Sequence, residues 1–368
     1  MMTVAIPLRQ LIRALIPTLF IPWLSACGLL PLATHANGPA QARGIADPTT
    51  ITFRQRAIDL RCATVQHNVR RFSPSRDLAS KWDDNAQIRA RHLRPSDLRN
   101  GVFVGIALSG GGMRAANFAA AILYELEALG VLPNHVSVIS SVSGGSIPAA
   151  YYGLYAGQDQ WTNREQFKER LRTNLEAIWL RRLLLPHNIL RVVGTKFNRT
   201  DVMAGVFDDV FFGGAWQGFQ AMPTRQPQIL INASVRASGC YAFVFSDEVL
   251  SAMGSRLDTY PIAYAVMASG AFPAVFHDVT LRAFALPDNV RSQGKHFYYH
   301  LNDGGPADNL GVYTLFDEGE RLVSDLRTDV RDCFLFVVDA HAQPESGPYQ
   351  LYRWDQSSSR SLTDTILD

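Results

Sequence analysis

The sequence is short of cysteine, carries no excess of charge of either sign, and has no cluster of metal-ligating side chains. Each shortage narrows what the chain can be. Its four cysteines follow no zinc or redox spacing, and once Cys27 is assigned to an export signal, Cys62, Cys240 and Cys333 remain. An odd number in an exported protein permits at most one internal disulfide and leaves at least one thiol over. Charge is balanced, with 35 basic against 33 acidic residues. Two of the basic ones, Arg9 and Arg13, lie in the segment expected to be removed, so nothing argues for a nucleic-acid partner. No carboxylate or histidine group has ligand spacing, so no metal or other cofactor is expected. There is no internal repeat. What the chain does have is length and apolar content: 368 residues, 47% hydrophobic and 18% charged, enough for one large domain with extensions or for two smaller ones. The first reading is preferred.

The N-terminus carries the parts of an export signal in order. Arg9 and Arg13 supply a positive start, an uncharged stretch begins at Ala14, and Leu24-Ser25-Ala26-Cys27 resembles the lipobox of bacterial lipoproteins. Cleavage there makes 1–26 a signal peptide and Cys27 the lipidated first residue, with enough acyl chains for stable anchoring. The competing reading is an uncleaved membrane helix over 14–33, roughly the length of a span. Pro17, Pro22 and Pro31 count against it, because each removes a backbone donor. Gly28, where an Asp would favour inner-membrane retention, directs the expectation to the outer membrane. Residues 27–50, rich in Ala, Gly and Pro, suit a flexible tether. Residues 51–100, with basic stretches at 54–61 and 70–76, are expected to form a partly helical extension whose arginines are solvated. The catalytic domain is placed at 101–345 and a C-terminal segment at 346–368.

The core begins with the apolar run 102–108, which suits a strand buried on both faces. Ser109-Gly110-Gly111-Gly112 ends it. From Arg114 to Leu129 the apolar residues Phe118, Ile122, Leu126 and Leu129 recur at helical spacing, and Gly130 is placed to stop that helix. A second strand over 136–142 runs into a helix through Ile147, Ala150 and Tyr151. Strand, helix, strand, helix within about 50 residues is a βαβ unit with parallel neighbours. Further strands are predicted at 228–234, 241–245, 296–301 and 334–338.

Ser143 sits where the second strand turns into its helix, in Ser141-Val142-Ser143-Gly144-Gly145. A nucleophilic serine belongs on such a turn, because the bend lifts its hydroxyl above the sheet and the helix aims its positive end at a developing oxyanion. Ser141 stands where the usual Gly-x-Ser-x-Gly elbow has its first glycine, and the string alone is more often an ordinary turn. The triple glycine changes those odds. Amides unshielded by side chains can face a tetrahedral intermediate. They can equally hold phosphate, but no Gly-Lys-Ser/Thr follows and the fully spaced dinucleotide fingerprint is absent. Gly110 and Ser143 follow successive strands of one βαβ unit, so both lie at the carboxyl ends of the strands, where ligands bind in such sheets.

Gly110-Gly111-Gly112-Met113-Arg114, the elbow Ser143 roughly 30 residues on, and the distant Asp303-Gly304-Gly305-Pro306-Ala307-Asp308-Asn309-Leu310-Gly311 together resemble the patatin-like phospholipase family. Asn198-Arg199-Thr200-Asp201 and the stretch from Ala268 to Phe276 agree. The resemblance covers about 101–340 and implies a three-layer α/β/α sandwich on a mainly parallel sheet. It implies Ser143 as nucleophile, Asp303 as the base without a histidine, Gly110, Gly111 and Gly112 as the oxyanion hole, and Arg114 as support of that loop. A carboxylate is a weak base for a serine hydroxyl, so Asp303 needs desolvation to raise its pKa. The expected activity is calcium-independent hydrolysis of phospholipid or another acyl lipid at a membrane surface. Two alternatives stay open: a Ser-Asp-His esterase using His341 or His300, and a lipid-anchored binding protein without turnover. Asp308 and Asn309 are read as supports of their loop. Residues 178–185 and 189–193 mix large apolar with basic side chains, which suits either a lipid interface or a helix packed on the core with arginines at its edge.

Overall fold

The computed structural model describes residues 53–62, 65–72, 101–223, 227–236, 241–273, 275–285, 297–317 and 330–340, the first two stretches as backbone. The export signal, Cys27, the tether, Cys240, His341 and the C-terminal segment lie outside the described residues.

The apolar run forms β3 (Val102–Leu108), preceded by β1 (Phe53–Cys62) and β2 (Val65–Phe72). It is buried on both faces as its composition requires: Val104, Ile106 and Leu108 enter the larger of two apolar clusters, while Phe103 and Ala107 enter the smaller one on the opposite face. Each fully buried side chain of this size contributes roughly 1.5–3 kcal/mol. The chain then passes through α1 (Gly112–Ala128), β4 (Val138–Val142), a single tight turn at Ser143–Gly145 and α2 (Ser146–Tyr155). Short helices α3 (Asp159–Thr162), α4 (Arg164–Leu171), α5 (Leu175–Leu183) and α6 (Pro186–Gly194) lead to α7 (Arg199–Phe211). Next come β5 (Gln228–Val235), β6 (Tyr241–Phe245), α8 (Asp247–Ala252), α9 (Ile262–Ser269), β7 (Val279–Ala283), β8 (Phe297–Asn302), α10 (Gly305–Asp308) and β9 (Asp332–Val338).

The strands form one mixed sheet in the order β1-β2-β6-β5-β4-β3-β9, with β8 joining β5 and β7 joining β8. Its centre, β9-β3-β4-β5, is parallel throughout. One face carries α1, α2, α7 and α9 on the larger cluster, and Leu315, in a helical turn over 312–317, helps close the other. These layers make the expected α/β/α sandwich.

Two stretches gain detail from the structure. The described part of the 51–100 extension is strand: β1 and β2 close a hairpin with Cys62 opposite Val65, and β2 adds in parallel to β6. Basic composition alone cannot separate a solvated helix from an edge strand, and here a pairing about 170 residues away in sequence selects the strand. Of the four apolar residues at helical spacing in and after α1, Leu126 is buried and Ile122 packs against the core. Ala116, Ala119, Ala120, Leu123 and Leu126 face the core, whereas Phe118 and Leu129 are exposed. Small alanines let α1 lie close to the turn at Ser143, a gain that a larger ring would remove.

Candidate active site

Ser143 holds a left-handed backbone, with φ of 47°, a conformation uncommon for a side-chain-bearing residue and retained only where its surroundings fix it. The fixing contacts are visible. The Ser143 amide donates to Ser269 Oγ at 2.7 Å, Ser269 Oγ donates to the Asn232 carbonyl at 2.6 Å, and Ser146 Oγ lies 3.0 Å from Ser269 Oγ. Strand and helix pass so close at the elbow that only glycine fits after the serine. A methyl at Gly144 would stand 1.9 Å from the Gly112 carbonyl oxygen, and one at Gly145 would stand 2.7 Å from the Ser109 carbonyl oxygen. Ser141, the departure from the usual elbow, is accommodated: it is fully buried and its hydroxyl donates to the Leu230 carbonyl at 3.2 Å.

Asp303 follows β8 directly. Its amide donates to the Ala271 carbonyl, the next amide, that of Gly304, donates to the Ser269 carbonyl, and the Ser234 hydroxyl donates to the Asp303 carbonyl. Gly304 lets this turn approach β5, since a methyl there would meet the Asn232 carbonyl oxygen at 2.6 Å. The carboxylate accepts from the Gly305 amide at 2.7 Å, and the Ser143 side chain stands near enough to favour its charged form. Loss of solvent around the carboxyl pushes its pKa above the ordinary carboxylate range, while the Gly305 amide and the Ser143 side chain pull it partly back. The fold thus sets Asp303 beside Ser143 across 160 residues of sequence.

The glycine loop divides its labour. The Gly110 amide donates to the Asn309 carbonyl at 2.9 Å, so it is already committed and drops out of the expected oxyanion set. Gly110 serves close packing instead, because a methyl there would stand 2.3 Å from Asn309 Oδ1 and 3.3 Å from Ser143 Cβ. Gly111 and Gly112, with φ of 130° and 60°, are the N-cap and first residue of α1, where amides have no intrahelical acceptor. Their amides have no acceptor among the described residues. Arg114 is exposed and makes no hydrogen bond among the described residues; its guanidinium only approaches Gly111. Asp308 and Asn309 act as loop supports: the Asp308 carboxylate accepts from the Leu310 and Tyr313 amides at 3.1 and 2.8 Å, and Asn309 receives Gly110.

His300, the nearer histidine in sequence, is exposed and its Nδ1 lies 2.9 Å from Thr280 Oγ1. The described contacts of Ser143 and Asp303 include no histidine. No group of three or more His, Cys, Asp or Glu able to hold a metal is found among the described residues. A surface hollow bordered by Asp159, Gln160, Thr162, Asn163 and Gln166 contains none of these catalytic candidates.

Sequence reading missed the buried polar frame behind the elbow. Asn232 Nδ2 donates to Ser140 Oγ and the Ser141 carbonyl at 2.8 and 2.9 Å, its Oδ1 accepts from Thr314 Oγ1 at 2.6 Å, and Ser140 Oγ donates to the Gly311 carbonyl at 2.7 Å. Its one sequence signal was Asn232 between the apolar residues Ile231 and Ala233 of β5.

A family model described as patatin-like phospholipase matches residues 106–316, more than half of the chain. No curated protein matches. Among solved structures, the chain is similar to human GIVD cytosolic phospholipase A2 in complex with methyl gamma-linolenyl fluorophosphonate and terbium chloride, at 17% identity and a TM-score of 0.38, over 62% of this chain and 40% of that one. A second structure of the same human protein gives 19% identity and a TM-score of 0.33, over 54% and 33%. VipD from Legionella pneumophila gives 12% and 0.28, over 56% and 46%. The chain therefore spans less than half the length of these solved chains.

Proposed function

The chain belongs to the patatin-like phospholipase family, and from that premise we propose that it is a serine lipid acyl hydrolase working through Ser143 and Asp303. The observation that carries this reading is Ser143 on a left-handed elbow beside the Asp303 carboxyl, which is buried and held by the Gly305 amide. Asp303 takes the serine proton as Ser143 Oγ attacks the ester carbonyl carbon. The amides of Gly111 and Gly112, at the positive end of α1, stabilise the oxyanion. Collapse breaks the ester C–O bond, the leaving alcohol receives the proton from Asp303, and water then releases the fatty acid from the acyl-enzyme by the same steps.

The base works only when ionised. Activity is therefore expected to rise with pH through the elevated Asp303 value, the direction opposite to that of a carboxylic acid acting as proton donor. We also propose that the protein is exported, lipidated on Cys27 and held on the bacterial envelope, at the outer membrane, with acyl lipid as substrate and no calcium requirement.

A fluorophosphonate probe tests the nucleophile directly. It should label the wild type stoichiometrically and leave Ser143→Ala unlabelled. An unlabelled wild type of intact fold would instead support a binding protein that has lost turnover.

A further inference from the structure

Helices α5 and α6 form a pair with two unlike faces. The inner face is bolted to the domain: Trp179 Nε1 donates to the Arg199 carbonyl at 2.9 Å, Arg182 reaches the Gly205 carbonyl and Asp209, and Asn188 Nδ2 donates to the Arg182 carbonyl at 2.8 Å. The outer face carries Leu180, Leu184, Leu185, Ile189, Leu190 and Val193, with Leu184 62% and Val193 82% exposed. Six large aliphatic side chains in fourteen residues, all turned to water, exceed the scattered apolar exposure of an ordinary surface. Their neighbours are basic. The stretch 175–199 holds Arg181, Arg182, Arg191, Lys196 and Arg199 against the single acid Glu176, and Arg181, His187 and Lys196 are exposed beside the aliphatic face.

The pair is also joined to the nucleophile's surroundings. The Trp179 ring packs edge-on against Phe276 at 5.6 Å, and Thr200 Oγ1, at the start of α7, donates to the His277 carbonyl at 2.8 Å. Phe276 and His277 end the stretch that begins at Gly270, where a methyl would stand 3.6 Å from Ser143 Oγ.

We propose that the outer face of α5 and α6 is the surface by which the protein seats on an anionic lipid bilayer, the six aliphatic side chains entering the boundary between headgroups and acyl chains while Arg181 and Lys196 meet lipid phosphates. The inference rests on the lipid-hydrolase reading for its purpose but not for its physics. An aliphatic face flanked by cations is the pattern of helices that lie in the membrane interface, and negative lipid adds to the attraction. At nine residues each, α5 and α6 are too short to span a bilayer and would lie in the plane of its surface.

The test uses the full chain carrying Cys27→Ala, so that no acyl anchor contributes, and Ser143→Ala in the binding arm, so that turnover is irrelevant. Flotation with phosphatidylcholine vesicles, with and without phosphatidylglycerol, should show binding that is stronger with phosphatidylglycerol and weakened by salt. Leu184→Glu/Leu190→Glu should lower the partition coefficient at least about tenfold, while in the Ser143 background the same pair should leave hydrolysis of a water-soluble short-chain ester unchanged. If the double variant does not fold, Val193→Glu is the substitute. Equal partitioning of variant and parent overturns the proposal. So does light scattering that finds a dimer split into monomers by the substitutions, because the face would then be covered by a second copy. A failure of ester hydrolysis alone counts against the enzyme reading and leaves the flotation result to decide this one.

Discussion

At the residue scale the elbow depends on what is missing from its side chains as much as on what is present. Gly144 has no room for a methyl, which would meet the Gly112 carbonyl oxygen at 1.9 Å. Backbone must therefore move in Gly144→Ala, and the moving part is the loop carrying the oxyanion amides. We expect kcat of that variant to fall about a hundredfold or more, the scale of losing one oxyanion donor, with the protein still folded by circular dichroism. An activity within a few fold of wild type would show that the Gly112 contact is not part of the machinery. Ser141→Gly is the contrasting case. Its buried hydroxyl donates only to the Leu230 carbonyl, so the change should cost about 1 kcal/mol of stability and leave turnover close to wild type, as read by denaturant unfolding and steady-state kinetics.

At the element scale, α7 shows how a helix start carries a pH dependence. Asn198 and Asp201 form a capping box, with the Asn198 amide donating to Asp201 Oδ2 at 2.7 Å. Burial is the main cause that pushes Asp201 from 3.8 to about 7, although the Asn198 and Tyr264 hydrogen bonds oppose it. A carboxyl with a raised folded pKa contributes stability that is fully present below its unfolded value and lost as pH rises through the folded one. Between about pH 4 and pH 7 the loss amounts to about 4 kcal/mol. Thermal unfolding should give a Tm that declines over that window, and Asp201→Asn should flatten the decline; an unchanged slope in the variant would place the titration elsewhere. Elements whose signal is local were legible in the sequence. The run 102–108 is β3 residue for residue, and the predicted strand at 241–245 is β6. The Asp303 block and the elbow were legible through motif, and the fold places them in contact. What the sequence did not disclose depends on distant partners: the β1–β2 hairpin at the sheet edge, the missed strand β7 paired with β8, the commitment of the Gly110 amide to Asn309, and the frame of Asn232, Ser269 and Thr314. A periodic pattern cannot report such contacts, because each is made by residues far apart in the chain.

At the scale of the whole molecule, the parallel core β9-β3-β4-β5 holds the elbow and the glycine loop at the carboxyl ends of neighbouring strands, and β8 pairs with β5 on the same edge as β4, just beyond the end of β4, so that Asp303 follows beside the elbow. The proposed acyl anchor at the N-terminus is tested separately. If Cys27 is lipidated, metabolic labelling with a palmitate analogue should mark the wild type and be abolished in Cys27→Ala; label that persists in the variant would remove the lipoprotein reading. One carboxylate, that of Asp303, is proposed as the base for Ser143 without a histidine. That role is tested most directly by kcat/KM for an acyl ester in Asp303→Asn, His300→Ala and His341→Ala, each checked for folding. An amide cannot accept the serine proton, so Asp303→Asn should lose about a hundred- to ten-thousand-fold, while both histidine variants stay within about tenfold of wild type. A folded His341→Ala or His300→Ala that falls as far as Asp303→Asn would contradict the account and make the machinery a triad.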